Sequence, residues 1–511
     1  MACAIVVPPA RAVPHRVGER IRVKGFELTE HFFTVPLDHF AAADPGGETL
    51  EVFVREVVAA SKVGDPAFDR AALPALLFLQ GGPGFEAARP AEAGGWLAEA
   101  TKRFRVFLLD QRGTGRSTPV TNESLERRFG ALAPSSEGME DASLEDSELS
   151  EAHETSVAKA AEYVAAHRAD AIVADCECVR LTLFAGKEKW TLLGQSFGGF
   201  CITRYLSASP EGVREALYTG GLPPLIREAN GAYETYRKLL ERVAKQNEKF
   251  YRRFPGDVAR VLEVASHVEE NARRNRAPIV TPGGSVFSLR GLQSLGFSAL
   301  GVAGGFEQLH YLFERAWEGD GDEKKLSYAF LKAADDAHAF DTNPLYALAH
   351  ESIYCNGGGV ASAWAAERAL RDFNETHDSV FDAAKTLEKA SDGDAGDAKV
   401  YFTGEMVFPF MFREFARLRA LRHVAERLSA KMDWSALYCA SALNANVVPV
   451  ACASYVEDAF VDWDLAGATA RDIGGARVWA TSEYMHSGIR EDGARIFTKL
   501  LELARDEDPL R

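Results

Sequence analysis

The sequence predicts an α/β fold, a mostly parallel central sheet carrying a large inserted helical cap, on three observations. Short, uninterrupted apolar runs end in glycine-containing loops, as buried parallel strands do. Gly194-Gln195-Ser196-Phe197-Gly198, a G-x-S-x-G pattern, stands directly behind one of them. Between the fourth of these runs and the last two lie about two hundred residues with helical spacing and few strand-like segments.

Within residues 26–58, Phe32-Phe33-Thr34-Val35 and Leu50-Glu51-Val52-Phe53-Val54 alternate apolar and polar positions, which suits an antiparallel hairpin. Ala75-Leu76-Leu77-Phe78-Leu79 and Phe104-Arg105-Val106-Phe107-Leu108-Leu109 read as buried parallel strands. The acidic stretch 137–151 reads as a solvated surface excursion at the start of a helical segment reaching about Leu183. Trp190-Thr191-Leu192-Leu193 and Ala216-Leu217-Tyr218-Thr219 are the next strands. From Gly220 to about Lys431 the pattern is helical, clearest over Ala232 to Tyr251 and Pro255 to Asn275. Strands return at 447–453 and 476–480, and an amphipathic helix through Ile496 and Leu503 closes the chain. The expected division is a first core segment 1–222, a cap 223–430 and a second core segment 431–511. This is how an α/β-hydrolase is assembled.

At 511 residues there is ample chain for one large core with an insertion, or for two domains. A net charge of -16 argues against nucleic acid or an anionic membrane as partner; its plain meaning is solubility. No apolar run reaches membrane-spanning length, and the first nine residues, interrupted by Pro8 and Pro9, make a poor signal peptide. A soluble cytoplasmic enzyme is the expectation. The seven cysteines are scattered, and Cys176-Glu177-Cys178 lacks the spacing of a zinc site, so reduced, mostly buried thiols and no metal or cofactor are expected.

A serine hydroxyl needs a base to take its proton and a third group to orient that base. Glycines let a strand turn tightly into a helix, which would leave Ser196 exposed at the apex as the nucleophile. In this fold the acid and then the histidine follow the serine along the chain. His486 is the sole histidine after residue 423 and lies just past the strand ending at Ala480, where the base belongs. Asp458, near the end of the preceding strand, is the favoured acid; Glu457 is its rival, and the choice stays open. Asp462 and Asp464 read as helix-capping or surface groups. The oxyanion of acyl transfer needs preorganised N–H donors, which Phe197 and the Gly81-Gly82 loop would supply. The loop Asp110 to Ser117, with neither phosphate-binding signature complete, reads as structural.

Taken together, these residues resemble the proline iminopeptidases, in their long form with an enlarged cap. The resemblance spans nearly the whole chain: Leu79 to Phe85, Asp110 to Gly115, Arg168 to Val173, Leu193 to Phe200, Thr219 to Pro224, His350 to Tyr354, Gly404 to Pro409 and Glu483 to Arg490. It implies hydrolysis of an N-terminal proline from short peptides through an acyl-enzyme, without metal. It further implies cap carboxylates that receive the free amine, with Glu351 the best match and Glu405 the second, since a buried ammonium requires a paired anion. Around Asp458 the chain reads Val456-Glu457-Asp458-Ala459-Phe460-Val461-Asp462 and departs from the family pattern at the neighbours. An esterase, a broader aminopeptidase and a noncatalytic scaffold are the competing readings. Oligomeric state is not written in the sequence.

Overall fold

The computed structural model describes residues 5–41, 47–133, 149–227, 230–274, 278–392 and 398–507. Of the acidic stretch 137–151, all but its last three residues lie outside the described residues.

Among the described residues eleven strands occur in chain order: β1 (His15–Val23), β2 (Phe26–Pro36), β3 (Thr49–Ala59), β4 (Ala75–Leu79), β5 (Arg105–Asp110), β6 (Trp190–Gln195), β7 (Val213–Thr219), β8 (Trp317–Glu318), β9 (Lys325–Leu326), β10 (Val450–Tyr455) and β11 (Ala476–Thr481). Nine form one sheet in the order β1-β2-β3-β5-β4-β6-β7-β10-β11. From β5 to β11 neighbours run parallel, and β1, β2 and β3 add an antiparallel edge. The expected hairpin is β2 with β3, pairing Phe32 with Phe53 and Val35 with Leu50. Strand β1 had no signal in the sequence, because its face is mostly exposed and its residues mostly polar.

The continuous apolar runs follow from burial on both faces. Side chains alternate across a strand, so Leu76 and Phe78 enter one core while Leu77 and Leu79 enter the other. The first core is closed by the helix Gly493–Arg505 through Ile496, Phe497, Leu500 and Leu501. The second takes the helices Ala169–Phe184 and Phe197–Ala208. Between β7 and β10 the described chain adds helices, the longest being Asn230–Arg253 and Asp257–Arg274, and the small β8–β9 ribbon, but no strand of the main sheet.

Strand β10 begins at Val450 rather than Val447. Pro449 has no N–H to donate, Val447 is 92% exposed, and the Asn446 side chain bonds the Val448 carbonyl, so the chain joins the sheet only afterwards. The loop after β5 is structural, as read. Arg112, fully buried, donates to both oxygens of Asp175 at 2.7 Å and to the carbonyls of Pro36, Leu37 and Ala166. The six described cysteines are buried.

Candidate active site

Ser196 sits between β6 and the helix Phe197–Ala208 with φ 54° and ψ -124°, a conformation that L residues seldom adopt. Close backbone approach on both sides holds it there. A Cβ on Gly198 would stand 1.9 Å from the Leu79 carbonyl oxygen, and one on Gly199 would stand 2.1 Å from that of Gly221. Glycine is thus required at both positions, and the turn points the Ser196 side chain into a cavity of about 520 Å³.

That cavity is walled by Gly81, Gly82 and Phe85 below and by Phe297, Tyr346 and Glu405 from the cap, with Phe460, His486 and Arg490 completing it. Gly81 packs directly on the elbow: a Cβ there would fall 2.8 Å from Ser196 Cβ. Phe197 opens its helix, so its N–H has no carbonyl within the helix to pair with.

His486 donates from Nδ1 to Asp458 Oδ2 at 2.8 Å. The other oxygen, Asp458 Oδ1, accepts from the N–H groups of Phe460 and Val461 at 2.8 and 2.9 Å, so the carboxylate is fixed from both sides. Asp458 is 1% exposed. Glu457 turns the other way, to Lys249 and Gln246 on a cap helix, and lies half-exposed. Asp462 caps the helix Trp463–Asp472, and Asp464 is exposed. The cap also anchors the histidine loop, the Gly301 carbonyl accepting from His486 N–H at 3.1 Å.

Burial disfavours a charged imidazole, but the charge and hydrogen bond of Asp458, with the charge of Glu405, raise the His486 pKa above its ordinary value. Its Nε2 faces Gln195 Nε2 at 3.5 Å, a long contact in which the amide donates. No hydrogen bond joins Nε2 to Ser196 Oγ among the described residues; without substrate such bonds are often loose.

The two cap acids part company. Glu405, 8% exposed, lies in the cavity with Ser196 and His486. Its Oε1 accepts from the Tyr346 hydroxyl, and its Oε2 stands 3.9 Å from His350 Nε2, a ring whose Nδ1 pairs with the Tyr236 hydroxyl at 2.9 Å. Glu351 does not line this cavity. It faces a separate small pocket with Leu348, Ser362 and Trp364, without a well-formed hydrogen bond to either oxygen. Burial pushes its carboxyl pKa up, against the Ser362 hydroxyl and the N–H groups of Ala365 and Ala366. Sequence reasoning missed Tyr346, which no spacing distinguishes from a core tyrosine, and Gln195, the variable second position of the elbow motif.

The arrangement suits acyl transfer from a substrate bearing a positive charge: serine at a strained apex, histidine oriented by a buried aspartate, and a carboxylate in the same cavity. Among the described residues no helix is long and apolar enough to cross a membrane, and no group of acids, histidines and cysteines could hold a metal ion.

The α/β-hydrolase fold family matches residues 74–345. Over 482 residues, 94% of this chain and 97% of the relative, the sequence is 40% identical to a proline iminopeptidase of Aeromonas sobria. It is 30% identical to a proline iminopeptidase of Aspergillus aculeatus over 94% of both chains. The crystal structure of a proline iminopeptidase from Mycobacterium smegmatis, 14% identical, aligns over 93% of this chain and 100% of that one at a TM-score of 0.36, too distant to carry weight. With two such relatives matched over nearly their full length, this chain belongs to the proline iminopeptidase family of α/β-hydrolases.

Proposed function

We propose that this protein is a serine aminopeptidase that releases proline from the free amino terminus of short peptides. One observation carries the reading: His486, bonded to buried Asp458, lines the same cavity as Ser196 and the cap carboxylate Glu405. The relatives named proline iminopeptidases support the same reaction.

In this reading Ser196 Oγ attacks the prolyl carbonyl carbon while His486 Nε2 takes the hydroxyl proton, the Gln195 amide yielding its place to the serine when substrate fills the cavity. The carbonyl π pair moves onto oxygen, where the N–H of Phe197 and those of the Gly81-Gly82 loop receive it. Collapse breaks the C–N bond, and His486 hands its proton to the departing amine. A water deprotonated by His486 then cleaves the prolyl ester by the same route. Asp458 remains ionised throughout and keeps Nε2 the acceptor. Glu405, oriented by Tyr346, accepts the substrate's ammonium; the expected contact from Glu351 is not part of this reading, because its carboxylate faces another pocket. Residues 1–222 and 431–511 act as the hydrolase core, and 223–430 as the cap that delivers Glu405.

Turnover of Pro-naphthylamide, of its N-acetyl derivative and of simple aryl esters tests the proposal. The free amine is expected to be cleaved and the acetylated one spared; a preference for esters overturns the assignment. A fluorophosphonate is expected to label Ser196 and not the Ser196→Ala variant, and a folded wild type that stays unlabelled would support a scaffold instead.

A further inference from the structure

Arg490 belongs to the short helix Gly488–Glu491, just past His486. Its side chain lines the Ser196 cavity and is solvent-exposed, so a ligand entering the cavity can reach it. The cavity wall carries a second guanidinium, Arg89, but that one is committed to both oxygens of Asp110. Among the described residues Arg490 has no carboxylate at ion-pair distance and no side-chain hydrogen bond; Tyr346 and Glu405 act on it only at longer range. A guanidinium with no carboxylate of its own protein is open to an incoming anion, and its planar fork matches a carboxylate in two parallel hydrogen bonds.

A short peptide brings such an anion. Its two termini carry opposite charges, and successive Cα atoms lie about 3.8 Å apart, so the carboxylate of a dipeptide ends one residue beyond the scissile bond. That distance keeps both termini inside the same cavity of about 520 Å³. A longer peptide carries its carboxylate out of reach.

We propose that Arg490 receives the C-terminal carboxylate of a dipeptide whose amino terminus rests on Glu405, so that the site recognises its substrate at both ends. The inference rests on the aminopeptidase reading above. The cavity that holds Ser196 then offers complementary charges to the two termini, and its selectivity is for short chains with both termini free.

The test compares Pro-Gly with Pro-Gly-amide, and the same pair lengthened by two glycines, in the wild type, Arg490→Ala and Arg490→Lys. The wild type is expected to show a KM for the free acid about ten- to a hundredfold below that for the amide, the range of one charge-assisted contact, with the difference shrinking in the longer pair. Arg490→Ala is expected to lose the preference, and Arg490→Lys to keep part of it. A change in pH profile common to acid and amide, with the acid preference intact, would make Arg490 a modulator of His486 and overturn the proposal. So would a wild type that cleaves Pro-naphthylamide but treats acid and amide alike. A wild type that cleaves no prolyl substrate brings down the aminopeptidase reading itself, and this inference with it. Fluorophosphonate labelling of Arg490→Ala separates a lost contact from a lost fold.

Discussion

Burial and charge pull the His486 ring in opposite directions, and the outcome sets a pH dependence. A buried imidazole resists protonation, but Asp458 at 2.8 Å and Glu405 in the same cavity together raise its pKa. The proposed mechanism needs the neutral ring, so kcat/KM should fall with acidification along a limb centred above the ordinary value of about 6.5. Folding runs the other way: the stabilisation from the raised pKa is complete below about pH 6.5 and fades as pH rises through the native value. Glu405→Gln removes one of the charges that raise the ring. The limb should therefore move to lower pH while KM for free-amine substrates rises about tenfold or more, as loss of a charged hydrogen bond implies. A pH–rate profile of the variant with Pro-naphthylamide checks both, and a limb that stays put would show that Glu405 does not face the imidazole in solution. At this scale the sequence singled out Ser196 from the elbow motif, and His486 and Asp458 from chain order and their places just past strand ends. It left Glu457 in contention because adjacent residues differ only in direction, and direction is set by Lys249 and Gln246 of the cap on one side and the backbone of Phe460 and Val461 on the other.

The strand-turn-helix element around Ser196 is held by contact between backbones. The helix Phe197–Ala208 lies so close to β4 that Gly198 has the Leu79 carbonyl where a side chain would go. Gly198→Ala should thus destabilise the protein by about 3 kcal/mol or more, read as a lower denaturant midpoint, and should abolish fluorophosphonate labelling even where the protein still folds. Labelling at the wild-type rate would mean that the helix can retreat without moving the serine. Elements of this kind were legible when they were buried on both faces, because the apolar run then covers every residue, as in β4 and β6. Strand β1 was not, because an exposed edge asks nothing apolar of its residues, and its hydrogen bonds to β2 are made by the backbone whatever the side chains are.

Across the whole molecule the net charge of -16 acts at long range on anything that approaches the cavity. Pro-naphthylamide carries one positive charge and Pro-Gly none overall. The kcat/KM of the amide substrate should fall several-fold between about 0.01 M and 1 M salt, as the screening length shortens from about 30 Å to about 3 Å, and that of Pro-Gly should fall less. Equal salt dependence would place the steering charge elsewhere than on this surface. The sequence by itself determined the buried strands along the chain, the elbow motif, the candidate nucleophile and base, and the membership that its motifs announced, since each is a local pattern or a matter of chain order. Only the tertiary structure decided which acids and bases meet. Glu351 and Glu405 look alike as cap carboxylates, yet one faces a separate pocket and the other stands beside His486, and Arg490 becomes a candidate partner for substrate only because the folded cap leaves it unpaired. The reason is physical: spacing along a strand or helix dictates which residues share a face, whereas encounters between residues hundreds of positions apart depend on how the cap packs on the sheet, which no local pattern encodes.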